Sequence, residues 1–390
     1  MKQVPRITTI ELYEFERPVR DLGALVDASF EAYYRPGTVS SIKRHAIKIH
    51  TDIGVTGEYV ATFSALEAVP VPRFAPLLLG RNALERESIY HEVKRLLRHV
   101  ARMGLAPVDI ALWDLAGKYY DAPIYQLLGG YRKKLPVYAS TGTGDNSGGL
   151  DSPEAYADFA ERCLEMGYRA FKIHPWWTGP ISREIELVDA VGRRVGGKMD
   201  LMLDPACAYE TFGDAVKVGR ACDEEGFYWF EDPFQDGGVS HFAHRRLRHL
   251  IKTPLLIGEH VRGLEQRIDL ALAGATDFIR GDLSLDGITG SMKLAHAAES
   301  IGLDVEFHGG GPATLHCMAA MRNANYIEYG VGNTKTERGR DLIYRSEYRE
   351  GPLDAIDENG CVSVPEGPGL GVEYDWDHIA AHQTGYVEFR

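Results

Sequence analysis

The stretch FYWFE, residues 227–231, decides the fold that we expect, because it is a nearly continuous apolar run that ends on a carboxylate. A run of this kind is typical of a strand that is covered on both faces, as in a parallel sheet. Five further short apolar runs end on one polar residue, namely LMLD at Asp204, LLIGE at Glu259, FIRGD at Asp282, VEFH at His308 and YIE at Glu328. Six polar groups that end successive strands predict a ring of side chains around one mouth, as in a metal-dependent barrel enzyme.

Short β-branched or aromatic runs alternate with amphipathic stretches after residue 130. Eight of these runs are predicted strands, at 135–140, 170–174, 200–204, 227–231, 254–259, 277–282, 304–308 and 326–330. Such alternation predicts a parallel β/α barrel. The active site of a barrel lies at the carboxyl ends of its strands, where the six polar residues fall.

The beginning and the end of the chain have a different organisation. Strands are predicted at 7–19 and 42–59, the latter with a turn around Gly54, and helices at 64–79, 84–100 and 107–117. Strands followed by helices predict an α+β domain over residues 1–130, ahead of a barrel domain at 131–350. The segment 351–390 does not continue the barrel pattern, and we expect it to pack back on the first domain.

The composition is that of a globular protein, with 390 residues, 44% hydrophobic and 25% charged. No apolar run approaches the length of a bilayer-crossing helix, and the N-terminal residues lack the apolar core of a secretory signal, so we expect a cytoplasmic protein without membrane contact. The net charge of -13 argues against nucleic acid as a partner. The five cysteines are scattered and never in CxxC spacing, which predicts reduced thiols and no structural zinc site.

Three carboxylates, Asp204, Glu231 and Glu259, end three consecutive predicted strands. Neighbouring strands lie about 5 Å apart, so these groups repel one another unless a cation lies between them. Magnesium is the natural candidate, because it takes oxygen ligands and leaves positions for a substrate. The alternative, a separate helix cap or salt bridge for each carboxylate, explains one of them more easily than all three.

Further residues at the strand ends are candidates for acid–base chemistry. Lys172 and His174 are two residues apart on one strand, so both point into the barrel, where neighbouring basic groups lower each other's pKa. Asp282 and His308 end neighbouring strands, and a carboxylate that accepts a ring N–H raises the basicity of the imidazole. Glu328 can hydrogen-bond a substrate oxygen if it is protonated or is shared with the metal-bound carboxylate. A Lys-x-His tripeptide such as Lys172–His174 is, by itself, more often a pair on the protein surface. His308 alone is as easily explained as a structural histidine that is hydrogen-bonded in a loop.

These residues, in their order and spacing, resemble the enolase superfamily and, within it, the mandelate racemase subgroup. The resemblance also rests on VDIALWDLAGKYYDAPIYQLLGG (108–130) and PEGPGLGVE (365–373), and it covers nearly the whole chain. It implies a (β/α)7β modified TIM barrel with an α+β capping domain and one magnesium ion in each active site. It also implies abstraction of the proton α to a substrate carboxylate, with the cation stabilising the enediolate.

Two positions depart from the patterns of this subgroup. His174 stands where members commonly carry a second lysine, and Ala206 stands where a histidine belongs to the galactonate and mannonate dehydratases. The resemblance still implies a lyase that dehydrates a sugar acid, an aldonate or aldarate, to a 2-keto-3-deoxy acid. In it His308, poised by Asp282, abstracts the proton on carbon 2 or protonates the departing hydroxyl on carbon 3. Lys172 and His174 serve the opposite face, with Lys172 at the substrate carboxylate and His174 as either the second acid or base or a binding group.

Alternative functions remain open at this stage. One is a racemase, epimerase or cycloisomerase that uses the same enediolate, and another is a catalytically silent barrel that only binds or assembles. The expected partner is a small-molecule carboxylate, whose identity we expect to depend on residues 20–36 and on the loop after the second barrel strand. Large barrels often associate, which favours a homo-oligomer.

Overall fold

The computed structural model of the chain describes residues 3–22, 34–61, 67–144, 149–332, 343–345, 348 and 356–390. Within these ranges the strands are β1 (Ile7–Leu22), β2 (Tyr34–Thr51), β3 (Thr56–Val60), β4 (Lys134–Thr141), β5 (Ala170–Ile173), β6 (Asp200–Leu203), β7 (Trp229–Glu231), β8 (Leu255–Ile257), β9 (Phe278–Asp282), β10 (Asp304–His308), β11 (Ile327–Gly332), β12 (Cys361–Ser363) and β13 (Gln383–Phe389). The helices are α1 (Arg86–Leu96), α2 (Leu105–Tyr120), α3 (Ile124–Leu127), α4 (Pro153–Glu165), α5 (Ile181–Val195), α6 (Phe212–Glu225), α7 (His241–Arg248), α8 (Leu264–Leu272), α9 (Leu283–Ser300), α10 (Pro312–Ala320) and α11 (Trp376–Ala381). None of these helices is long and apolar enough to cross a membrane.

An antiparallel sheet in the order β13-β1-β2-β3, together with α1, α2 and α3, forms the cap. Helix α2 lies directly on this sheet, because a Cβ atom on Gly57 in β3 would come within 2.1 Å of the Ala111 carbonyl oxygen. The C-terminal segment contacts both parts of the molecule, since β13 pairs with β1 and β12 pairs with β4. The division of the chain at residues 130 and 350 stays a prediction.

The helix predicted over 64–79 is wrong for the part of it that the structure describes. Residues 67–70 form a turn, and two short 3-10 helices follow at Val71–Arg73 and Ala75–Leu78. The cause is the three prolines at positions 70, 72 and 76, each of which lacks an N–H donor and clashes with the preceding turn of an α-helix. Most of the predicted specificity segment 20–36, residues 23–33, lies outside the described residues.

Eight parallel strands, β4 to β11, form the barrel, and each lies within two or three residues of its predicted bounds. Each strand from β4 to β9 pairs with the next one, and β11 pairs with β4. Seven helices, α4 to α10, alternate with these strands. The predicted (β/α)7β barrel with an α+β cap is therefore confirmed.

Local sequence sets the ends of the barrel helices. Helix α4 begins after Ser152, whose hydroxyl accepts a hydrogen bond from the Ala155 N–H at 3.1 Å, with Pro153 in the first turn. Helix α6 begins after Thr211 in the same way and ends at Gly226, whose positive φ of 70° suits glycine. These caps fix where each loop leaves a strand, and so where the polar strand ends lie.

One buried aspartate joins the cap to the barrel. Asp109 on α2 accepts hydrogen bonds from the backbone N–H of Thr289 at 2.9 Å and from its hydroxyl at 2.6 Å. Trp113 Nε1 donates to the same hydroxyl at 2.9 Å. These bonds hold α2 against α9, which follows the barrel strand that ends in Asp282.

A buried layer of mostly apolar side chains lies inside the barrel, next to the polar residues at the strand ends. It consists of Tyr138, Ala170, Met202, Trp229 and Leu256, from five successive strands. Because side chains alternate between the faces of a strand, the residue two positions further on also points inward. In four of these strands that residue is polar and buried, namely Ser140, Lys172, Asp204 and Glu231.

Candidate active site

Lys172 lies at the centre of the polar cluster and has no exposed surface. Its Nζ is 3.2 Å from Oδ2 of Asp204 and 3.1 Å from Oε2 of Glu231. The same atom is 3.1 Å from Oε1 of Glu328. Burial and the neighbouring Arg280 lower the pKa of Lys172, but the carboxylates outweigh them and raise it well above its usual value. Lys172 is therefore held as a cation.

Arg280 is the member of the cluster that the sequence analysis missed. Its fully buried guanidinium places Nε 2.8 Å from Oε1 of Glu231 and Nη2 2.6 Å from Oε2 of Glu328. Nη1 donates to the Tyr138 hydroxyl at 3.1 Å. A signal was present, because Arg280 stands two residues before Asp282 in an otherwise apolar strand and so points to the same face.

Glu328 forms ion pairs with both of these cations and accepts a hydrogen bond from Arg280. It also accepts a hydrogen bond from the Gly309 N–H at 2.9 Å. Burial raises the pKa of Glu328, but Lys172, Arg280 and His308 outweigh this and hold it well below its usual value. Glu328 therefore serves as an acceptor in this arrangement, and its hydrogen bond to a substrate oxygen stays a prediction.

Three carboxylates of the cluster, Asp204, Glu231 and Glu259, could hold a metal ion. Burial is the main cause that raises the pKa of Glu231 to about 7; Arg280 opposes the increase and Asp204 adds to it. Burial also raises the pKa of Asp204, but Lys172 and His174 outweigh this and hold it far below its usual value. Carboxylates at three neighbouring strand ends are the donors that Mg²⁺ prefers, so these residues fit the ion. Their ligand atoms do not all lie within 4.8 Å of one another. In this arrangement Lys172 Nζ lies 3.2 Å from Asp204 Oδ2, and Arg280 Nε lies 2.8 Å from Glu231 Oε1.

His174 follows β5 and has a hydrogen-bond acceptor at each ring nitrogen. Nδ1 is 2.7 Å from the backbone oxygen of Thr141, and Nε2 is 3.1 Å from Oδ2 of Asp204. Neither partner can donate, so the ring makes both bonds only as the doubly protonated imidazolium. Burial lowers the pKa of His174, but the Asp204 carboxylate outweighs it and the net change is upward.

His308 ends β10 between two carboxylates. Its Nδ1 is 3.6 Å from Oδ2 of Asp282, and its Nε2 is 3.7 Å from Oε1 of Glu259. Burial lowers the pKa of His308, but Glu259 and then Asp282 raise it to about 9. Asp282 is fixed in place because its Oδ1 accepts the Ser284 N–H at 2.8 Å at the start of α9. The structure thus brings the predicted Asp282–His308 pair together and adds Glu259 to it.

A buried cluster of carboxylates, cations and histidines at the carboxyl end of a capped (β/α)7β barrel defines an enolase-type barrel enzyme. Two family models match the chain, the mandelate racemase / muconate lactonizing enzyme N-terminal domain over residues 34–129 and the enolase C-terminal domain-like model over residues 155–378. The chain belongs to the enolase superfamily, in its mandelate racemase and muconate lactonizing enzyme branch.

Relatives of this chain include both lyases and isomerases. The D-xylonate dehydratase of Haloferax volcanii is 29% identical over 367 residues, which cover 87% of this chain and 85% of that protein. The D-galactarolactone cycloisomerase of Agrobacterium fabrum is 30% identical over 328 residues, which cover 80% of this chain and 83% of that protein. A solved structure of D-glucarate dehydratase from Agrobacterium tumefaciens, complexed with magnesium, superposes with a TM-score of 0.86 at 29% identity and covers 97% of this chain and 99% of that one. Family membership therefore leaves the reaction open.

Proposed function

We propose that this protein is a magnesium-dependent dehydratase of a sugar acid, an aldonate or aldarate, and that it forms a 2-keto-3-deoxy acid. The observation that carries the proposal is the unequal setting of the two histidines at the barrel mouth. His308 lies between Glu259 and Asp282, whereas His174 donates from both ring nitrogens. A racemase needs a base on each face of carbon 2, because the two groups exchange roles when the reaction runs backwards. Both ring nitrogens of His174 are engaged by protein acceptors, so in this arrangement neither is available to exchange a proton with carbon 2, and elimination with His308 alone is favoured.

Asp204, Glu231 and Glu259 would hold Mg²⁺, which when bound stabilises the negative charge that develops on the substrate carboxylate. The names of two relatives, D-xylonate dehydratase and a D-glucarate dehydratase complexed with magnesium, support this choice of reaction and ion. Lys172 and His174 bring two positive charges to the candidate site, beside Asp204. We assign them to binding the substrate carboxylate and to stabilising its charge.

His308 carries the proton transfer in this proposal. As the neutral imidazole it takes the proton from carbon 2, and as the imidazolium it gives a proton to the hydroxyl that leaves carbon 3 as water. The enol that remains tautomerises to the 2-keto acid, so the balance is one sugar acid to one keto acid and one water. Glu259 is the largest cause that raises the pKa of His308 to about 9. A divalent cation at Glu259 offsets that charge, so we expect the neutral form to be accessible near neutral pH when Mg²⁺ is bound.

The test is a set of aldonates and aldarates incubated with the purified protein and Mg²⁺, with semicarbazide used to detect 2-keto acids. We expect a semicarbazone signal with at least one acid and no signal from the His308→Asn variant. Exchange of the α-hydrogen in deuterated water without any keto product would instead indicate a racemase or epimerase. Conversion of a sugar-acid lactone without keto product would indicate a cycloisomerase, the activity named for one relative.

A further inference from the structure

A second group of side chains with metal-ligand chemistry lies beside the candidate active site. Cys207, Asp232 and His260 each place one ligand atom within 4.8 Å of the ligand atoms of the other two. No other three His, Cys, Asp or Glu side chains converge as closely in the part of the chain that the structure describes. The three come from the segments that follow β6, β7 and β8, and the three carboxylates assigned to Mg²⁺ lie at the carboxyl ends of the same strands.

Asp232 is the member of this group that most needs a partner. It is 1% exposed, and neither of its carboxylate oxygens has a hydrogen-bond partner. The nearest basic group is His260, whose Nε2 is 3.8 Å from Oδ2 of Asp232. A buried carboxylate without partners is costly, because its lost hydration is not replaced. A cation between these side chains would replace it.

The group is separate from the magnesium ligands because of strand geometry. Glu231 points into the barrel, and the next residue, Asp232, points away from it, since side chains alternate along a strand. The loop after β7 closes over Asp232, because a Cβ atom on Gly238 would approach Oδ1 of Asp232 to 2.8 Å. Asp236 holds this loop by accepting the N–H groups of Gly238 at 2.9 Å and Ser240 at 2.7 Å.

Backbone geometry holds Cys207 near Asp232, and His260 is open to solvent. The Cys207 N–H donates to the Asp232 carbonyl oxygen at 2.8 Å, and both residues have positive φ angles, 61° and 30°. Such backbone conformations are strained in residues other than glycine and tend to occur at functional sites. The His260 side chain is 39% exposed, which leaves a route for an ion from solvent.

We propose that Cys207, Asp232 and His260 form a second cation site, which binds Zn²⁺ and leaves Mg²⁺ to the barrel interior. A thiolate, an imidazole and a carboxylate are the ligands that zinc takes, and three protein ligands leave a fourth position for water. Mg²⁺ prefers oxygen ligands alone. Binding releases the thiol proton of Cys207 to solvent. The site escaped the sequence analysis because its ligands lie on three separate loops and not in a CxxC pattern.

Cobalt substitution tests the proposal, because Co²⁺ bound to a thiolate gives a sulfur-to-metal absorption band. We expect one equivalent of Co²⁺ to produce this band in protein saturated with Mg²⁺, and one equivalent of Zn²⁺ to remove it. Cys207→Ser should abolish the band. His260→Ala should weaken Zn²⁺ binding roughly tenfold or more, since even residues that only support a metal ligand contribute that much.

Two control variants keep the test decisive. Cys361→Ser, at another partly exposed cysteine, should retain the band. Glu231→Gln should weaken Mg²⁺ binding and also retain the band, which separates this site from the magnesium site. Circular dichroism of each variant checks that it is folded. The proposal is overturned if the wild-type protein shows no thiolate band, if the band survives in Cys207→Ser, or if Zn²⁺ binds only where it displaces Mg²⁺.

Discussion

Replacing Arg280 with methionine should destabilise the protein by about 3 kcal/mol, because it leaves two buried carboxylates short of a partner. Arg280 is fully buried and pairs with Glu231 at 2.8 Å and with Glu328 at 2.6 Å. Removing one partner of a buried ion pair costs about 3–5 kcal/mol. We place the loss at the lower end of that range, because Lys172 still lies 3.1 Å from each carboxylate.

Urea unfolding followed by tryptophan fluorescence measures this loss. Arg322→Met is the matched control, because Arg322 pairs with Glu299 at 2.7 Å but the two side chains are 58% and 38% exposed. An exposed pair contributes at most about 1 kcal/mol, so this variant should unfold close to the wild-type urea concentration. Adding Glu328→Gln to Arg280→Met should recover part of the stability, since it removes one of the stranded charges. If Arg280→Met and its control unfold at the same urea concentration, the ion pairs of Arg280 do not stabilise the fold, which would refute this prediction.

The remaining predictions concern the metal and His308. His308→Asn should abolish keto-acid formation with an unchanged Mg²⁺ affinity by calorimetry, and retained turnover would remove His308 from the mechanism. Glu231→Gln should weaken Mg²⁺ binding, and an unchanged affinity would exclude Glu231 as a ligand. Saturation with Mg²⁺ should lower the pKa of His308 from about 9 in a proton NMR titration of its ring, because the ion offsets the charge of Glu259, and a constant pKa would contradict this. Asp282→Asn removes a second carboxylate that raises this pKa, so the acidic limb of kcat/KM should move to lower pH, and a limb that stays in place would show that another group titrates there.

The barrel strands were predictable because their signal is local. An apolar run such as FYWF indicates within a few positions that the strand is covered on both faces. The polar residue that ends the run indicates which end of the strand faces the active site. The helix predicted over 64–79 is wrong in its described part for an equally local reason, because the prolines at 70, 72 and 76 interrupt its apolar pattern. Arg280 was overlooked because a charge inside an apolar run says nothing of its partner, and that partner lies on other strands.

The sequence by itself determined a parallel β/α barrel and the set of polar strand ends, since both follow from short apolar runs that alternate with amphipathic stretches and end on a polar residue. Only the tertiary structure decided the state of those groups. His174 donates from both nitrogens because Thr141 and Asp204 lie on either side of it, and His308 lies between Glu259 and Asp282. Charge and pKa depend on burial and on distances between residues far apart in the chain, and these exist only once the strands are arranged around one mouth.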